Sequence, residues 1–346
     1  MQEIRCSRVV QSVQIELTYR CNLNCLHCYC KDVDFGRKEI TFRQWKLIID
    51  RLHAENFFWI TFTGGEPFLH KDFARIYLYA FRKGFLITVF TNGTLFSPSL
   101  FRLFKKYPPF LIEMSLYGAS EDIYESISRI PGSFLRAMDS LRKLKFLALP
   151  VAFKTVALKQ NKLEILAIKK LVESLFGKGR FKLDTFIFPR LNGDTTNCLN
   201  RLHPQEILEL ELSDKDFRNE LLRYFSQQSK RRMPRKFLYR CSSWKNSLFI
   251  NPFGFLQFCH LDDRHAVYLP QFSQGLEKAR LSLSRLMKKC FSTDSKCQDC
   301  RLRHHCCYCP SRSFLETSSY EGPVDYYCAL AKMKDRQRKL LLKKEW

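Results

Sequence analysis

Three closely spaced cysteines near the N-terminus are the residues best suited to chemistry. Cys21, Cys25 and Cys28 follow the apolar segment 13–18, a predicted strand, so they fall in the loop after it. Three thiolates on a tight loop suit an iron–sulfur cluster, and a cubic four-iron cluster would keep one iron without a protein ligand. Catalytic metal sites need such an open position. The alternative interpretation is a four-ligand structural zinc site completed by Cys30.

Most of the remaining cysteines lie in the C-terminal third of the chain. The 346 residues include 15 Cys, and the odd count, the short spacings and the lack of a signal-peptide pattern favour metal ligation over a disulfide framework. The segment 248–256 reads as strand, turn and strand, with Pro and Gly at the turn. The candidate ligands here are Cys241, Cys259, Cys297, Cys300, Cys306, Cys309 and Cys328. Two structural zinc sites are the alternative.

Composition and charge limit the class of protein. Hydrophobic residues make up 45% of the chain and include 31 Phe, enough for a folded core. No apolar run approaches the ~20 residues of a membrane span, so we expect a soluble, cytoplasmic protein. The formal charge of +24 favours an acidic peptide, a nucleic acid or another anionic partner, or reflects a Lys- and Arg-rich proteome. Charge alone does not decide among these.

Alternating strand and helix patterns must position the cysteines. We predict six strands in the first two-thirds of the chain and amphipathic helices at 41–52, 71–83 and 133–145. The strands are 13–18, 59–63, 86–91, 111–116, 151–157 and 183–188. This order predicts an α/β fold, a partial (β/α)6 TIM-like barrel with chemistry at the C-terminal strand ends, followed by a C-terminal cysteine-rich iron–sulfur domain. We divide the chain into a barrel (1–200), a helical connector (201–238) and an auxiliary-cluster domain (239–346).

The first cysteine segment resembles a known family. With residues 16–20 before it and Tyr29 after it, it strongly resembles the radical S-adenosylmethionine (SAM) superfamily, and the resemblance covers nearly the whole chain. It implies that SAM binds the open iron of a 4Fe–4S cluster and is cleaved by one electron. The product would be a 5′-deoxyadenosyl radical that abstracts a hydrogen from the substrate.

The same resemblance implies cofactor contacts at successive strand ends. The segment 63–67 looks like the element that binds the methionine group, 91–94 ends the third strand, and the serine after the fourth faces the ribose in relatives. The implied contacts are Tyr29, Gly64, Gly65, Glu66, Pro67, Asn92, Ser115 and Arg129.

The C-terminal cysteines resemble the SPASM extension of radical enzymes, which usually holds two auxiliary 4Fe–4S clusters. The resemblance assigns Cys297, Cys300, Cys306 and Cys328 to a distal cluster, with Cys307 as the alternative to Cys306. It assigns Cys241, Cys259 and Cys309 to a nearer one. The nearer cluster either has an open iron or takes a fourth ligand from His260, Cys290, Cys198 or Cys307.

The extension occurs mainly in enzymes that modify peptides or proteins. We therefore expect a maturase of ribosomal peptides that forms a crosslink or an oxidised residue. Its expected partners are a peptide substrate, a reductant such as flavodoxin or ferredoxin and a separate leader-recognition protein; neither a membrane nor a nucleic acid is expected. Alternatives are radical chemistry on a small molecule or cofactor precursor, and a nucleic-acid-binding or structural metal-binding cysteine protein.

Overall fold

The computed structural model describes most of the chain. The described residues are 11–32, 36–228, 236–239, 247–271, 275–292, 294–303, 305–306 and 308–343. Two residues of the predicted auxiliary ligand set, Cys241 and the alternative Cys307, lie outside them.

The described strands form one nine-stranded sheet. Its order is β6-β5-β4-β3-β2-β1-β7-β8-β9, and β1 to β6 run parallel in a continuous series of neighbours. This series confirms the α/β fold with the strands of a partial barrel. The strands are β1 (Ser12–Thr18), β2 (Trp59–Gly64), β3 (Leu86–Thr91), β4 (Leu111–Ser115), β5 (Val151–Val156), β6 (Phe181–Asp184), β7 (Ser247–Ile250), β8 (Phe255–Cys259) and β9 (Asp262–Tyr268).

Helices follow the strands as the amphipathic patterns predict. The first begins at a capping box in which Thr41 and Gln44 satisfy each other's backbone N–H groups. The helices are α1 (Phe42–Ala54), α2 (Phe73–Arg82), α3 (Pro98–Lys106), α4 (Glu121–Ser128), α5 (Ser133–Phe146), α6 (Ile165–Phe176), α7 (Pro204–Ser213), α8 (Lys215–Gln228), α9 (Leu276–Ser284), α10 (Pro310–Thr317) and α11 (Asp325–Lys343).

The two faces of the parallel sheet differ in polarity. Ile15, Phe62 and Val89 point to the helices and are fully buried in the main hydrophobic core. Because side chains alternate along a strand, their neighbours face the inside of the barrel. Those inner residues are polar at several positions, including Glu113 and Lys154. The core thus lies between sheet and helices, and the barrel interior is left for ligands.

The sixth strand differs from its prediction. It spans Phe181–Asp184 instead of 183–188 and pairs with β5. The strand ends because the Asp184 carboxylate accepts a hydrogen bond from the Phe186 N–H at 2.9 Å, which turns the backbone. The next residues, 186–188, therefore leave the sheet and line the barrel interior.

The hairpin predicted around residues 248–256 is present, but it belongs to the barrel sheet. The Asn251 Oδ1 accepts from the N–H groups of Phe253 and Phe255 and forms the turn between β7 and β8. β7 pairs in parallel with β1, so the hairpin extends the sheet on the side opposite β6. The sequence pattern does not predict the pairing of β7 with β1. The domain boundaries at 200 and 238 remain predictions.

The connector and the C-terminal tail are helical where they are described. Residues 204–228 contain α7 and α8, whereas 229–235 of the predicted connector lie outside the described residues. Residues 335–343 of the basic C-terminal segment are part of α11. One residue before this segment, Lys334 is buried and its Nζ lies 2.7 Å from Glu211 Oε1, so the helix packs on α7. Within the described ranges, no helix has the length and apolar character needed to cross a bilayer.

Candidate iron–sulfur and cofactor site

The cysteine loop after β1 rests on the backbone at the end of β2. The Gly65 N–H donates to the Thr18 carbonyl at 2.7 Å, and the Glu66 N–H donates to the Arg20 carbonyl at 2.9 Å. A Cβ at Gly64 would lie 2.2 Å from the Thr18 carbonyl oxygen, and one at Gly65 would lie 2.4 Å from that of Arg20. Only glycine permits this approach, which explains why two glycines end this strand.

A cavity of about 320 Å³ lies between the cysteine loop and the inner face of the sheet. Residues of the loop line it, as do residues 186–188 and His260. The three cysteines line it, together with five of the eight predicted cofactor contacts: Tyr29, Gly64, Gly65, Asn92 and Ser115. The other three predicted contacts lie elsewhere.

Two of those three residues support the cavity wall from behind. Glu66 and Pro67 are buried. The Glu66 carboxylate accepts from the Thr91 hydroxyl at 2.9 Å and from the Asn92 N–H at 2.8 Å. Burial raises the pKa of Glu66 to about 7, although these hydrogen bonds lower it. The carboxylate thus ties β2 to the end of β3, and the cavity at this point is lined by backbone.

Arg129 lies at the C-terminal end of α4, outside the cavity lining. It is exposed and adopts the left-handed conformation with φ 58°. The next residue, Ile130, lines a larger open cleft on the outer side of the cysteine loop. Its predicted contact with the SAM carboxylate remains a prediction.

The three cysteine thiols lie close enough to affect one another. Burial raises the pKa of Cys21 to about 11, and the charges of Glu66 and Cys28 add to this effect. Burial also raises the pKa of Cys25, with contributions from Cys28 and Cys21. The pKa of Cys28 falls to about 7, mainly through a hydrogen bond from the Cys30 thiol. Three mutually interacting thiols around one cavity are a suitable ligand set for a cluster.

The donor set suits an iron–sulfur cluster. Cys21, Cys25 and Cys28 offer three thiolates around one cavity, and a 4Fe–4S cluster binds one cysteine per iron. One iron would then be without a ligand from this group.

A buried carboxylate supports the loop from the sheet side. Glu16 is 2% exposed and accepts hydrogen bonds from the Tyr29 hydroxyl at 2.5 Å and the Tyr19 hydroxyl at 2.9 Å. Burial raises its pKa to about 7. Tyr29, predicted as a cofactor contact, thus also anchors the end of the cysteine loop to β1.

The wall opposite the loop carries charged residues that sequence analysis did not single out. Lys154 Nζ lies 2.9 Å from Asp184 Oδ2, and Lys182 Nζ lies 2.5 Å from Glu113 Oε2. All but Lys182 line the cavity. The alternation of side chains along a strand could have predicted these charged residues. Each lies an even number of residues from another residue of its strand that faces the barrel interior.

Two histidines lie in the same cavity. His27 packs edge-on against Tyr117 with ring centroids 5.1 Å apart, and His260 lies among the rings of Tyr29, Phe188 and Phe249. Burial lowers the pKa of each to about 4, so both are neutral at pH 7. Neutral imidazoles are suited to hydrogen bonding with a ligand.

Three of the described C-terminal cysteines lie close together, and the others have separate surroundings. Cys297, Cys300 and Cys328 are close enough that the charges of Cys328 and Cys300 raise the pKa of Cys297, after burial. Cys259 ends β8 beside His260, with its Sγ 3.9 Å from Nδ1, and Cys309 caps α10. Cys306 lines a separate cavity of about 220 Å³ between α8 and α11. Cys290 is exposed and Cys198 is half-buried.

Comparisons with known proteins identify the domain. Residues 15–172 match the family model of the radical SAM superfamily. The chain is 33% identical over 159 residues to Fe-coproporphyrin III synthase of Methanosarcina barkeri, covering 45% of this chain and 39% of that protein. It is 25% identical over 273 residues to AlbA of Bacillus subtilis, a protein of subtilosin bacteriocin biosynthesis, covering 75% of this chain and 56% of AlbA.

A solved structure, that of native anSMEcpe with bound AdoMet and the Kp18Cys peptide, shares the fold. The TM-score is 0.70 at 16% identity, over 96% of this chain and 98% of that one. In contrast, the chain spans about half or less of the length of the two curated relatives. Residues 15–172 therefore match the radical SAM superfamily, and the chain shares the fold of a structure solved with bound AdoMet.

Proposed function

We propose that this protein is a radical SAM enzyme whose substrate is a peptide or protein. The observation that carries the proposal is one cavity lined by Cys21, Cys25 and Cys28 on one side and by the Gly64–Gly65 backbone on another. When bound at these cysteines, a 4Fe–4S cluster supplies the electron that cleaves SAM.

The residues of the chain hold and enclose the reactants. The backbone at the end of β2 fits the amino-acid part of SAM, because glycine lets a ligand approach the main chain closely. Ser115 lies at the end of β4 within hydrogen-bonding reach of the Tyr117 hydroxyl and faces the same cavity. Phe186, Ile187, Phe188 and His260 add a largely apolar part to the lining, which suits a reactive radical.

The size of the cavity favours a substrate that inserts a side chain. Drug-sized ligands occupy cavities of roughly 300–1,000 Å³, and SAM itself is of that size. The cavity of about 320 Å³ lies at the lower end of this range. A peptide that presents one residue fits this space. AlbA acts in bacteriocin biosynthesis, and the anSMEcpe structure contains a peptide, which supports the same proposal.

A small molecule or cofactor precursor is the second candidate substrate. The similarity to Fe-coproporphyrin III synthase, at 33% identity over 45% of this chain, favours it.

The C-terminal cysteines complete the proposal. We assign Cys297, Cys300 and Cys328, with Cys306 as the fourth, to one auxiliary cluster, and Cys259, Cys309 and Cys241 to another. The mutual proximity of the first three supports this assignment. A reductant of the flavodoxin or ferredoxin type would supply electrons, and a separate leader-recognition protein would present the peptide.

Replacing Cys25 tests the radical chemistry. We expect Cys25→Ala, after anaerobic reconstitution and reduction with dithionite, to form no 5′-deoxyadenosine and to lose the electron paramagnetic resonance (EPR) signal that changes when SAM is added. Ser174→Ala is the control, because Ser174 is exposed on α6 and lies outside this cavity. Retained 5′-deoxyadenosine formation by Cys25→Ala would refute the assignment.

Mass spectrometry tests the substrate class. Short peptides encoded beside this gene would be co-expressed with the enzyme and with Cys25→Ala. A mass loss of two hydrogens, or a new crosslink, that depends on Cys25 supports a peptide substrate. Unmodified peptides, together with turnover of a tetrapyrrole by the same preparation, would favour the second candidate.

A further inference from the structure

The side chain of Asn92, at the end of β3, has all of its hydrogen-bonding groups engaged within the protein. Its Oδ1 accepts from the Thr94 N–H at 2.9 Å and from the Thr94 hydroxyl at 2.7 Å. Its Nδ2 donates to Asn22 Oδ1 at 3.0 Å and to Cys21 Sγ at 3.7 Å. An amide offers two acceptor positions and two donor hydrogens, so these four contacts use them all.

The orientation of this amide is fixed by its partners. The Thr94 backbone N–H can only donate, so it requires the oxygen of Asn92 on its side and places Nδ2 toward the sulfur. The Asn92 N–H donates to the buried Glu66 carboxylate at 2.8 Å, and Asn22 Nδ2 donates to the Thr94 hydroxyl at 2.8 Å. Asn92 is itself 6% exposed. The Asn92 side chain that donates to Cys21 Sγ is therefore held in place through its backbone N–H and through its side-chain partners.

A donor at a cysteine ligand affects the metal centre that the ligand holds. Reduction adds negative charge to an iron–sulfur cluster and its thiolates, and hydrogen bonds to the sulfurs stabilise that charge. The Sγ of Cys21 also accepts from the Leu23 N–H at 3.4 Å, but that donor belongs to the loop itself. Asn92 is the described side chain that brings a donor to Cys21 from another strand.

We propose that Asn92 is a positioning residue that raises the reduction potential of the cluster bound at Cys21 by donating a hydrogen bond to its sulfur. The inference rests on the proposed function, because it needs a cluster at these cysteines. It gives Asn92 a role other than the cofactor contact that the sequence motif implies. The residues at the end of β3 would thereby link the wall that binds SAM to the reduction potential of the cluster.

The test is an EPR-monitored redox titration of the whole, reconstituted protein. Only the signal that changes on addition of SAM is followed, which separates this cluster from auxiliary ones. The variants are Asn92→Ala, which removes the donor, and Asn92→Asp, which keeps the shape and places a carboxylate beside the sulfur. Thr94→Val is the matched control, because it removes two hydrogen bonds of the same network and leaves the contact between Nδ2 and Sγ.

We expect both Asn92 variants to make reduction about tenfold less favourable, which for a one-electron couple is about 59 mV. Asn92→Asp should show the larger shift, and Thr94→Val should change the reduction equilibrium less than about threefold, with iron content unchanged throughout. Asn92→Asp with normal iron and an unchanged potential would overturn the proposal, as would an equal shift in Thr94→Val. A wild-type protein with no SAM-responsive signal would instead contradict the proposed function itself.

Discussion

Glu16 is a buried carboxylate whose ionisation opposes folding. It is 2% exposed, and burial raises its pKa from 4.5 to about 7 although two tyrosine hydroxyls donate to it. Between these two pH values the folded protein binds more protons than the unfolded chain does. Stability therefore falls as the pH rises from about 4.5 to about 7. The cost is the desolvation of the charge.

The variant Glu16→Gln should remove this pH dependence. Gln keeps both contacts, since its oxygen accepts from Tyr29 and its amide can donate to the Tyr19 hydroxyl. We expect it to unfold like the wild type at pH 5 and to be more stable at pH 8 by up to about 3 kcal/mol. Urea unfolding of the anaerobic metal-free proteins measures both values. The exposed Asp139→Asn is the control, and parallel wild-type and Glu16→Gln profiles would contradict the prediction.

At the scale of single residues, the sequence indicates candidate ligands more readily than it indicates the hydrogen-bond partners around them. Cys21, Cys25 and Cys28 are recognisable because their spacing is local. Two partners of Asn92 and Glu16 are harder to recognise, because Asn22 is 70 positions from Asn92 and Tyr29 is 13 positions from Glu16. The cofactor contact of Glu66 stays a prediction, and its carboxylate also ties β2 to β3.

At the scale of elements, the contact between the end of β2 and the cysteine loop is the most constrained. Gly65 does not have a positive φ, so a side chain there is excluded by sterics alone: its Cβ would lie 2.4 Å and 2.7 Å from the carbonyl oxygens of Arg20 and Tyr19. Backbone atoms at both positions cannot move independently of the loop. Any added atom must displace the cysteines.

We predict that Gly65→Ala displaces the loop and lowers iron bound at the first cluster at least several-fold. Gly179→Ala is the matched control, because a Cβ there meets open space and pays only for φ +79°, about 1 kcal/mol. Iron content and the SAM-responsive EPR signal are the measurements. A Gly65→Ala protein with the iron and the signal of the wild type would show that the loop tolerates the displacement.

The bounds of helices and strands were predictable where a local sequence pattern sets them. They were not predictable where a hydrogen bond or a pairing outside the pattern ends or places the element. β3 matches its prediction to the residue, and the other early strands match within one residue at either end. β6 does not, because residues 186–188 look as apolar as a strand but are diverted by the Asp184 turn. The pairing of β7 with β1 joins residues 235 positions apart, as between Ser12 and Ser247, and no periodicity reports it.

At the scale of the whole molecule, one buried ion pair links the cavity wall to the C-terminal helices. Arg201 binds Glu316 of α10 through two contacts of 2.8 Å, and its side chain is 7% exposed. The same guanidinium donates to the Ile187 carbonyl at 2.6 Å and lies over the rings of Tyr326 and Tyr327. The segment that lines the cavity is thus held by a residue that also holds α10.

A double-mutant cycle tests this link. We expect Arg201→Met or Glu316→Leu alone to lower the free energy of unfolding by about 3–5 kcal/mol, because each leaves a buried charge without its partner. The double variant should lose much less than the sum, since neither charge then remains buried. The exposed pair Lys162–Glu206, 2.5 Å apart, is the matched control and should show a coupling below about 1 kcal/mol. A coupling for Arg201 and Glu316 no larger than the control would mean that the helices hold the cavity wall without this pair.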